Sequence, residues 1–179
     1  MEIDKHLFKN IKFLKSPNFN NRPKEEDIRL IVIHSISLPP NKYGGDYVEK
    51  FFLNSLNTAY HESFKEIEDL KVAPHLYIKR TGEIIQFVPF DKRAWHAGES
   101  IFNGVNNCND FSIGIELEGS DNDIFTEVQY NSLAMVTKEI MKEYPLISKD
   151  CITGHSNIAP GRKTDPGNKF DWEKFLQLV

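Results

Sequence analysis

Cysteine is scarce in this sequence of 179 residues, which contains Cys108 and Cys151 and no other. Two cysteines cannot build the disulfide framework of a small secreted domain, and their separation does not match a zinc-binding cysteine motif. We therefore expect two reduced thiols. A single disulfide between them stays open as an alternative at this point.

Excess positive charge is also missing. The chain has 22 basic and 26 acidic residues and a formal net charge of −4, so no broad positive field attracts a nucleic acid or an anionic membrane. Residues 1–6 include acids, and no long apolar run follows them, unlike a signal peptide or a membrane span. We expect a monomer in the cytoplasm with no nucleic-acid partner and no membrane partner.

Internal repeats and low-complexity tracts are absent as well. The 40% hydrophobic and 27% charged residues are ordinary values for a globular protein. A chain of this length can bury most of its apolar surface around one core. We therefore expect a single catalytic domain that spans residues 1–179.

The first half of the chain shows a strand, a helix and a hairpin. Residues 28–33 form an apolar, β-branched run that is typical of a central strand and ends at His34. A helix is predicted in the high forties to mid-fifties, where Asp46 and Glu49 resemble an acidic variant of a capping box. Between residues 75 and 88, two β-prone runs flank a glycine turn and predict a hairpin.

The second half continues with alternating strands and helices. Apolar residues alternate with polar ones over 112–117, which predicts a strand whose Glu116 points away from its apolar neighbours. Thr126 and Gln129 form a capping box at the start of a helix that Pro145 ends. A short strand at 151–153 and a C-terminal helix follow. This order predicts an α+β fold, α/β-like in its alternation, with a central mixed β-sheet flanked by helices.

The most irregular stretch, residues 154–167, is interrupted by glycines and prolines and carries several charged groups. His155 and Asp165 lie ten positions apart on it, and His34 follows the central strand. Two imidazole nitrogens and one carboxylate oxygen would leave the fourth position of a tetrahedral zinc open to water, as in catalytic sites. On the pattern alone, a buried histidine and two ordinary hydrogen-bonding loop residues would be the favoured interpretation.

The same stretch, Gly-His-Ser-Asn-Ile-Ala-Pro-Gly-Arg-Lys-Thr-Asp-Pro-Gly, closely resembles the zinc loop of N-acetylmuramoyl-L-alanine amidases. Their superfamily includes phage lysozyme-like amidases and peptidoglycan recognition proteins. Residues 34–40, 88–98 and 109–119 match further motifs of the family in the same order. The likeness covers about residues 17–172 and is greatest to the cytoplasmic branch that cleaves 1,6-anhydro-muramyl peptides in cell-wall recycling.

The resemblance implies a zinc-dependent amide hydrolase with one Zn²⁺ per chain, held by His34, His155 and Asp165. Glu116 would accept a proton from the attacking water, with Glu118 as an alternative base. Lys163 would stabilise the oxyanion of the transition state. The substrate would be an anhydro-muropeptide or another peptidoglycan fragment.

Five residues are expected near the substrate by the same resemblance, and they are Trp95, His96, Arg162, Ala159 and Ser35. Two of them have open alternatives, since Trp95 could be a buried core residue and Arg162 could form a surface salt bridge. His75 could equally be a hydrogen-bonded core residue or part of the site.

Some positions depart from the family pattern. Ser35 occupies a position where asparagine is expected, and Lys71 and Asn107 occupy positions where arginines are expected to contact the stem peptide. Pro74 replaces the catalytic tyrosine of phage lysozyme-like members. Two other functions stay open, namely a recognition module that binds without cleaving and an endolysin-type amidase that attacks intact peptidoglycan.

Overall fold

The computed structural model describes every residue from 1 to 179. Its twelve strands are β1 (Ile3–Asp4), β2 (Leu7–Phe8), β3 (Lys12–Phe13), β4 (Phe19–Asn21), β5 (Leu30–Ile36), β6 (Leu76–Ile78), β7 (Ile84–Gln86), β8 (Lys92–Ala94), β9 (Ile101–Phe102), β10 (Val105–Asn106), β11 (Ser112–Glu118) and β12 (Ile152–Gly154). Its four α-helices are α1 (Tyr47–Phe52), α2 (Glu127–Glu143), α3 (His155–Ile158) and α4 (Trp172–Leu178).

Six strands form one sheet in the order β12-β5-β11-β6-β7-β3. Strands β12, β5, β11 and β6 run parallel, whereas β7 is antiparallel to β6. The sheet is therefore mixed, and helices flank it, which confirms the predicted α+β class. The apolar run of β5 is fully buried, as expected for a central strand that is covered on both faces.

The two faces of the sheet are covered differently. Alternate side chains of a strand point to opposite faces. Ile31 and Ile33 of β5 pack in the largest apolar cluster together with residues of α2 and α4. The opposite face carries two smaller clusters, one that includes α1 and one that includes Leu30 and Val32. The side chain of His34 points to the same face as Leu30 and Val32, which is the face of the sheet that α2 does not cover.

Most predicted elements are confirmed. The hairpin corresponds to β6 and β7, which pair antiparallel. The Thr126 hydroxyl accepts from the Gln129 amide at 3.2 Å, and the Gln129 side chain accepts from the Thr126 amide at 3.1 Å, so the capping box is present. Helix α2 ends at Glu143, just before Pro145.

The capping box predicted at Asp46 is wrong. Helix α1 does begin after Asp46, but this side chain makes no capping hydrogen bond. It forms instead an ion pair with Lys50, one turn along the helix, at 2.9 Å. The charged partner at i+4 thus takes the carboxylate away from the amides of the first turn.

Other features complete the comparison with the sequence. Cys108 and Cys151 are both free thiols, so the alternative disulfide is excluded. The short strands β1 to β4 before the central strand were not predicted, and β3 extends the main sheet by pairing with β7. None of the helices combines the length and the apolar character that a membrane span requires.

Candidate active site

His34, His155 and Asp165 converge at the carboxyl ends of two neighbouring parallel strands. Gly154 of β12 pairs with Ile33 of β5, so the residues that follow them, His155 and His34, are neighbours. The two Nδ1 atoms are 3.0 Å apart, and each lies 3.0 Å from Asp165 Oδ2. The three atoms therefore form a nearly equilateral triangle.

The triangle fits a tetrahedral metal ion. Zinc bonds to nitrogen and carboxylate oxygen are about 2.0–2.1 Å long, which places tetrahedral ligand atoms roughly 3.3 Å from one another. The observed spacing of 3.0 Å is close to this value. Because both histidines are buried and Asp165 is only partly exposed, the three side chains form a possible metal site with one side left open.

Hydrogen bonds show which histidine nitrogen carries the proton. His155 Nε2 lies 3.0 Å from the carbonyl oxygen of Ala97. A carbonyl oxygen only accepts, so Nε2 donates, and the lone pair of Nδ1 faces the triangle. His34 Nε2 lies 2.9 Å from His96 Nδ1, which allows His34 to adopt the same tautomer.

The charges in the triangle favour a cation. Burial lowers the pKa of His34 to about 4, although the Asp165 carboxylate opposes this effect. Burial alone would raise the pKa of Asp165, but hydrogen bonds to His155 and His34 outweigh it and hold that pKa below its usual range. A neutral His34 beside an ionised Asp165 is the protonation state that metal binding requires.

Glu116 faces this triangle from the adjacent strand. It pairs in register with His34 across β11 and β5, and its Oε2 atom is buried without a hydrogen-bond partner. Burial and the negative charge of Asp165 raise the pKa of Glu116 well above its ordinary value, whereas the Lys163 ammonium lowers it. An unpartnered carboxyl group beside the open side of the triangle is available for proton transfer.

Glu118 does not share this position. Its Oε1 accepts from the Gly44 amide at 2.6 Å, and its Oε2 accepts from the Arg80 amide at 2.9 Å. Both oxygens are thus engaged by main-chain donors, and Glu118 is not among the residues that line the cavity. The alternative base suggested by the sequence is therefore not supported by the geometry.

The triangle opens into a cavity of about 570 Å³. Its polar lining residues include Glu116 and Lys163, and its apolar lining residues include Phe51, Phe52 and Trp95. The remaining lining residues are Ser35, Ile36, Leu38, Ile67, Leu70, Lys71, Val72, Ala73, Pro74, His96, Ala97, Gly98, Asn109 and Arg162.

Trp95 and Ser35 are both among the residues that line the cavity. The Trp95 indole lines the cavity and donates its N–H to Asn20 Oδ1 at 2.8 Å, so it is not a residue of the apolar core. The Ser35 hydroxyl is buried and has no hydrogen-bond partner. Of the two positions where arginines are expected, Lys71 lines the cavity, whereas Asn107 does not.

Arg162 and Ala159 differ in their relation to the cavity. Arg162 lines the cavity, but its Nη2 donates to the carbonyl oxygens of Ala97 and Glu99 rather than forming a surface salt bridge. Ala159 is buried and does not line the cavity. Its carbonyl oxygen accepts from the amides of Arg162 and Lys163. Ala159 therefore shapes the turn that presents Lys163, and the expectation that it contacts the substrate is not supported.

Two buried histidines outside the triangle, His96 and His75, can be described by their hydrogen bonds. His96, expected beside the substrate, makes its hydrogen bonds to His34 and to Ser112. His75 is fully buried and bonded to Lys92 and Gly114, so it is a core residue. Arg22 and Asn109, which the sequence did not single out, are also buried. Asn109 lines the cavity and is the first residue of the matched segment 109–119, whereas no local motif marks Arg22.

Comparisons with known proteins agree with this geometry. A family model described as N-acetylmuramoyl-L-alanine amidase matches residues 24–168. The chain is 51% identical over 178 residues to the 1,6-anhydro-N-acetylmuramyl-L-alanine amidase AmpD of Haemophilus influenzae, with 99% of this chain and 97% of that protein covered.

Solved structures give the same result. A crystal structure of a selenomethionine AmpD derivative matches with a TM-score of 0.97 at 47% identity, covering 100% of this chain and 99% of that one. The amidase AmiD from Escherichia coli, in complex with the substrate anhydro-N-acetylmuramic acid-L-Ala-D-gamma-Glu-L-Lys, matches with a TM-score of 0.63 at 28% identity. That match covers 85% of this chain and 57% of the AmiD chain.

Proposed function

The chain belongs to the N-acetylmuramoyl-L-alanine amidase family, and from this premise we propose that it is a zinc hydrolase of cell-wall recycling. It cleaves the amide bond between 1,6-anhydro-N-acetylmuramic acid and L-alanine in peptidoglycan fragments. The observation that carries the proposal is the convergence of His34, His155 and Asp165 with Glu116 and Lys163 in one cavity. The 51% identity to an amidase of this name supports the substrate.

One Zn²⁺ per chain is the proposed cofactor. The family is zinc-dependent in general, and the spacing and protonation of His34, His155 and Asp165 suit this ion. When bound, zinc supplies Lewis acidity and lowers the pKa of a coordinated water to about 7. The open side of the triangle faces the cavity, as a catalytic site requires.

Glu116 and Lys163 carry out the proton transfer and the charge stabilisation in this proposal. Glu116 accepts the proton of the attacking water and delivers it to the departing amine of L-alanine. The amine is a poor leaving group without that proton. Lys163 lines the cavity, and its ammonium stabilises the negative charge that develops on the amide oxygen in the transition state.

The apolar residues that line the cavity are proposed to select the sugar. A bicyclic anhydro sugar packs against apolar walls such as Trp95, whereas a free reducing end brings an additional hydroxyl group. Leaving such a group buried without a partner costs on the order of 1–3 kcal/mol, or about ten- to a hundredfold in kcat/KM. Ser35, Lys71 and Arg162 line the cavity and are proposed to contact the peptide.

A single domain, 1–179, is proposed to act as a monomer in the cytoplasm. Every group named in the reaction comes from one chain, so the site needs no second copy. The net charge of −4 is unsuited to docking on an anionic wall polymer. A small soluble fragment of peptidoglycan is therefore the proposed substrate rather than an intact sacculus.

The test compares three substrates under one condition. Purified zinc-loaded protein is mixed with anhydro-muramyl-tripeptide, with the matching non-anhydro muropeptide and with intact sacculi, and the products are identified by mass. The first substrate should give the highest kcat/KM. Equal values, or faster release from sacculi, would overturn the recycling assignment. Binding without any cleavage would favour a recognition module instead.

A further inference from the structure

His96 lies directly against a residue of the proposed metal site. Its Nδ1 is 2.9 Å from His34 Nε2, and its Nε2 is 3.1 Å from the Ser112 hydroxyl. The two rings meet edge to face with centroids 5.0 Å apart. If His34 presents Nδ1 to the metal, its Nε2–H donates to His96, whose own Nε2–H then donates to Ser112.

Ala97, the next residue, contacts the second histidine of the triangle. Its carbonyl oxygen accepts from His155 Nε2 at 3.0 Å and from Arg162 Nη2 at 2.7 Å. Two consecutive residues thus face the outer nitrogens of both histidines. One does so through its side chain and the other through its main chain.

Asn109 holds these two residues in place. Its Oδ1 accepts from the amide of His96 at 3.1 Å and from the amide of Ala97 at 2.8 Å. The side chain is buried, and its main-chain oxygen accepts from the equally buried Arg22. The two hydrogen bonds that this one oxygen accepts fix the direction of the 96–97 backbone.

The position of the His96 ring also depends on Gly114. A Cβ atom at this residue would lie 2.4 Å from Cγ of His96 and 2.5 Å from its Nδ1, which is far inside van der Waals contact. The ring therefore packs flat on the glycine Cα of β11. No other residue type at position 114 would leave the ring in contact with His34.

We propose that His96 and Ala97 form a clamp that fixes the orientation and the tautomer of both histidine ligands, and that Asn109 positions this clamp. Hydrogen-bond partners of this kind usually change metal affinity by about ten- to a hundredfold when they are removed. This inference rests on the zinc site of the proposed function. It assigns a positioning role to His96 and Asn109.

Two matched pairs of variants test the clamp. His96→Leu removes the acceptor, whereas His96→Asn keeps an amide oxygen near the position of Nδ1. Asn109→Leu removes the shared acceptor, whereas Asn109→Asp keeps it. The exposed His61 provides the control His61→Leu. Zinc dissociation constants are measured by competition with a chromogenic chelator, and melting temperatures are measured on the metal-free proteins.

The expected result is a zinc affinity about ten- to a hundredfold weaker for both leucine variants than for the wild type. The variants His96→Asn, Asn109→Asp and His61→Leu should retain most of the wild-type zinc affinity. Affinities within threefold of the wild type in folded His96→Leu and Asn109→Leu would overturn the clamp, and so would a rise in KM alone. Failure of the wild type to bind zinc would instead reject the zinc site itself.

Imidazole ¹⁵N spectra of the zinc-loaded wild type decide the question if the leucine variants do not fold. The clamp requires a proton on Nε2 of His34 and His155 and an unprotonated Nδ1 on His96. A protonated His96 Nδ1 would overturn the proposal.

Discussion

Glu116 and His34 pair in register across the parallel strands β11 and β5, so both side chains leave the same face of the sheet next to each other. The proposed general base and a proposed metal ligand are therefore placed by main-chain hydrogen bonds of two buried strands rather than by loops. Such a rigid foundation suits a reaction in which the geometry of proton transfer decides the rate.

Loss of any one residue of the triangle should remove the metal. The wild type is expected to bind about one zinc ion per chain. Zinc should be lost in each of the variants His34→Ala, His155→Ala and Asp165→Ala, because two protein ligands and water cannot replace three convergent protein ligands. Elemental analysis after gel filtration measures this directly. Full zinc occupancy in any two of the three variants would reject the ligand assignment.

Replacement of Glu116 should separate catalysis from metal binding. Glu116→Gln is expected to keep its zinc and its fold but to lose about a hundredfold or more in kcat, since a general base contributes at least that much. Glu118→Gln is the matched control, because both Glu118 oxygens bind main-chain amides away from the cavity. A larger loss of kcat in Glu118→Gln than in Glu116→Gln would contradict the assignment.

Lys163 should act mainly in the transition state. Lys163→Met is expected to lower kcat more than it raises KM, because the charge that the ammonium stabilises appears only as the water adds to the amide. Lys169→Met, at an exposed lysine after the same loop, should behave as the wild type. Steady-state kinetics on an anhydro-muramyl peptide distinguish the two, and an unchanged kcat in Lys163→Met would exclude the role.

Acidification should destabilise the metal-free protein. Burial, reinforced by the Arg22 guanidinium, lowers the pKa of His75 well below its ordinary value. Below about pH 6.5 the unfolded chain therefore takes up a proton here that the folded chain does not, and the stability falls with decreasing pH by up to about 1.4 kcal/mol per pH unit from this residue. Burial also lowers the pKa of His34, to about 4, and that of His96, which adds to the same trend.

Urea unfolding at a series of pH values between 8 and 5 measures this effect. His75→Gln should show a smaller dependence of the free energy of unfolding on pH than the wild type, whereas His6→Asn, at an exposed position, should not differ by as much. Identical pH dependence in the wild type and His75→Gln would show that His75 is not held neutral by the fold.

Local signals in the sequence predicted much of this structure. The spacing of apolar residues predicts the positions of the main strands and helices. The pair Thr126 and Gln129 indicates the start of α2, because all the groups of a capping box lie within four consecutive residues. The same kind of pattern failed at Asp46, where Lys50 competes for the carboxylate. Side chains that have two possible partners within one turn are not resolved by pattern alone.

The environment of the site was less accessible to sequence reasoning. The resemblance indicated which residues would converge and placed His96 near the substrate. His96 does line the cavity, but its contact with His34 was not indicated by the resemblance. Arg22 and Asn109 act on main-chain groups far away in the sequence, such as the Phe90 carbonyl and the His96 amide. Because any residue offers the same main-chain atoms, no sequence motif records these contacts.

The loop between His155 and Asp165 is closed by a hydrogen bond from the Ser156 amide to the Asp165 carbonyl at 2.9 Å. Bringing the ends of a flexible segment of about ten residues together costs roughly 2 kcal/mol in chain entropy. The loop is already closed in the folded protein, so this loss of chain entropy does not reduce the affinity for an ion. Capture of the ion should therefore be about thirtyfold tighter than it would be if His155 and Asp165 lay on an open segment.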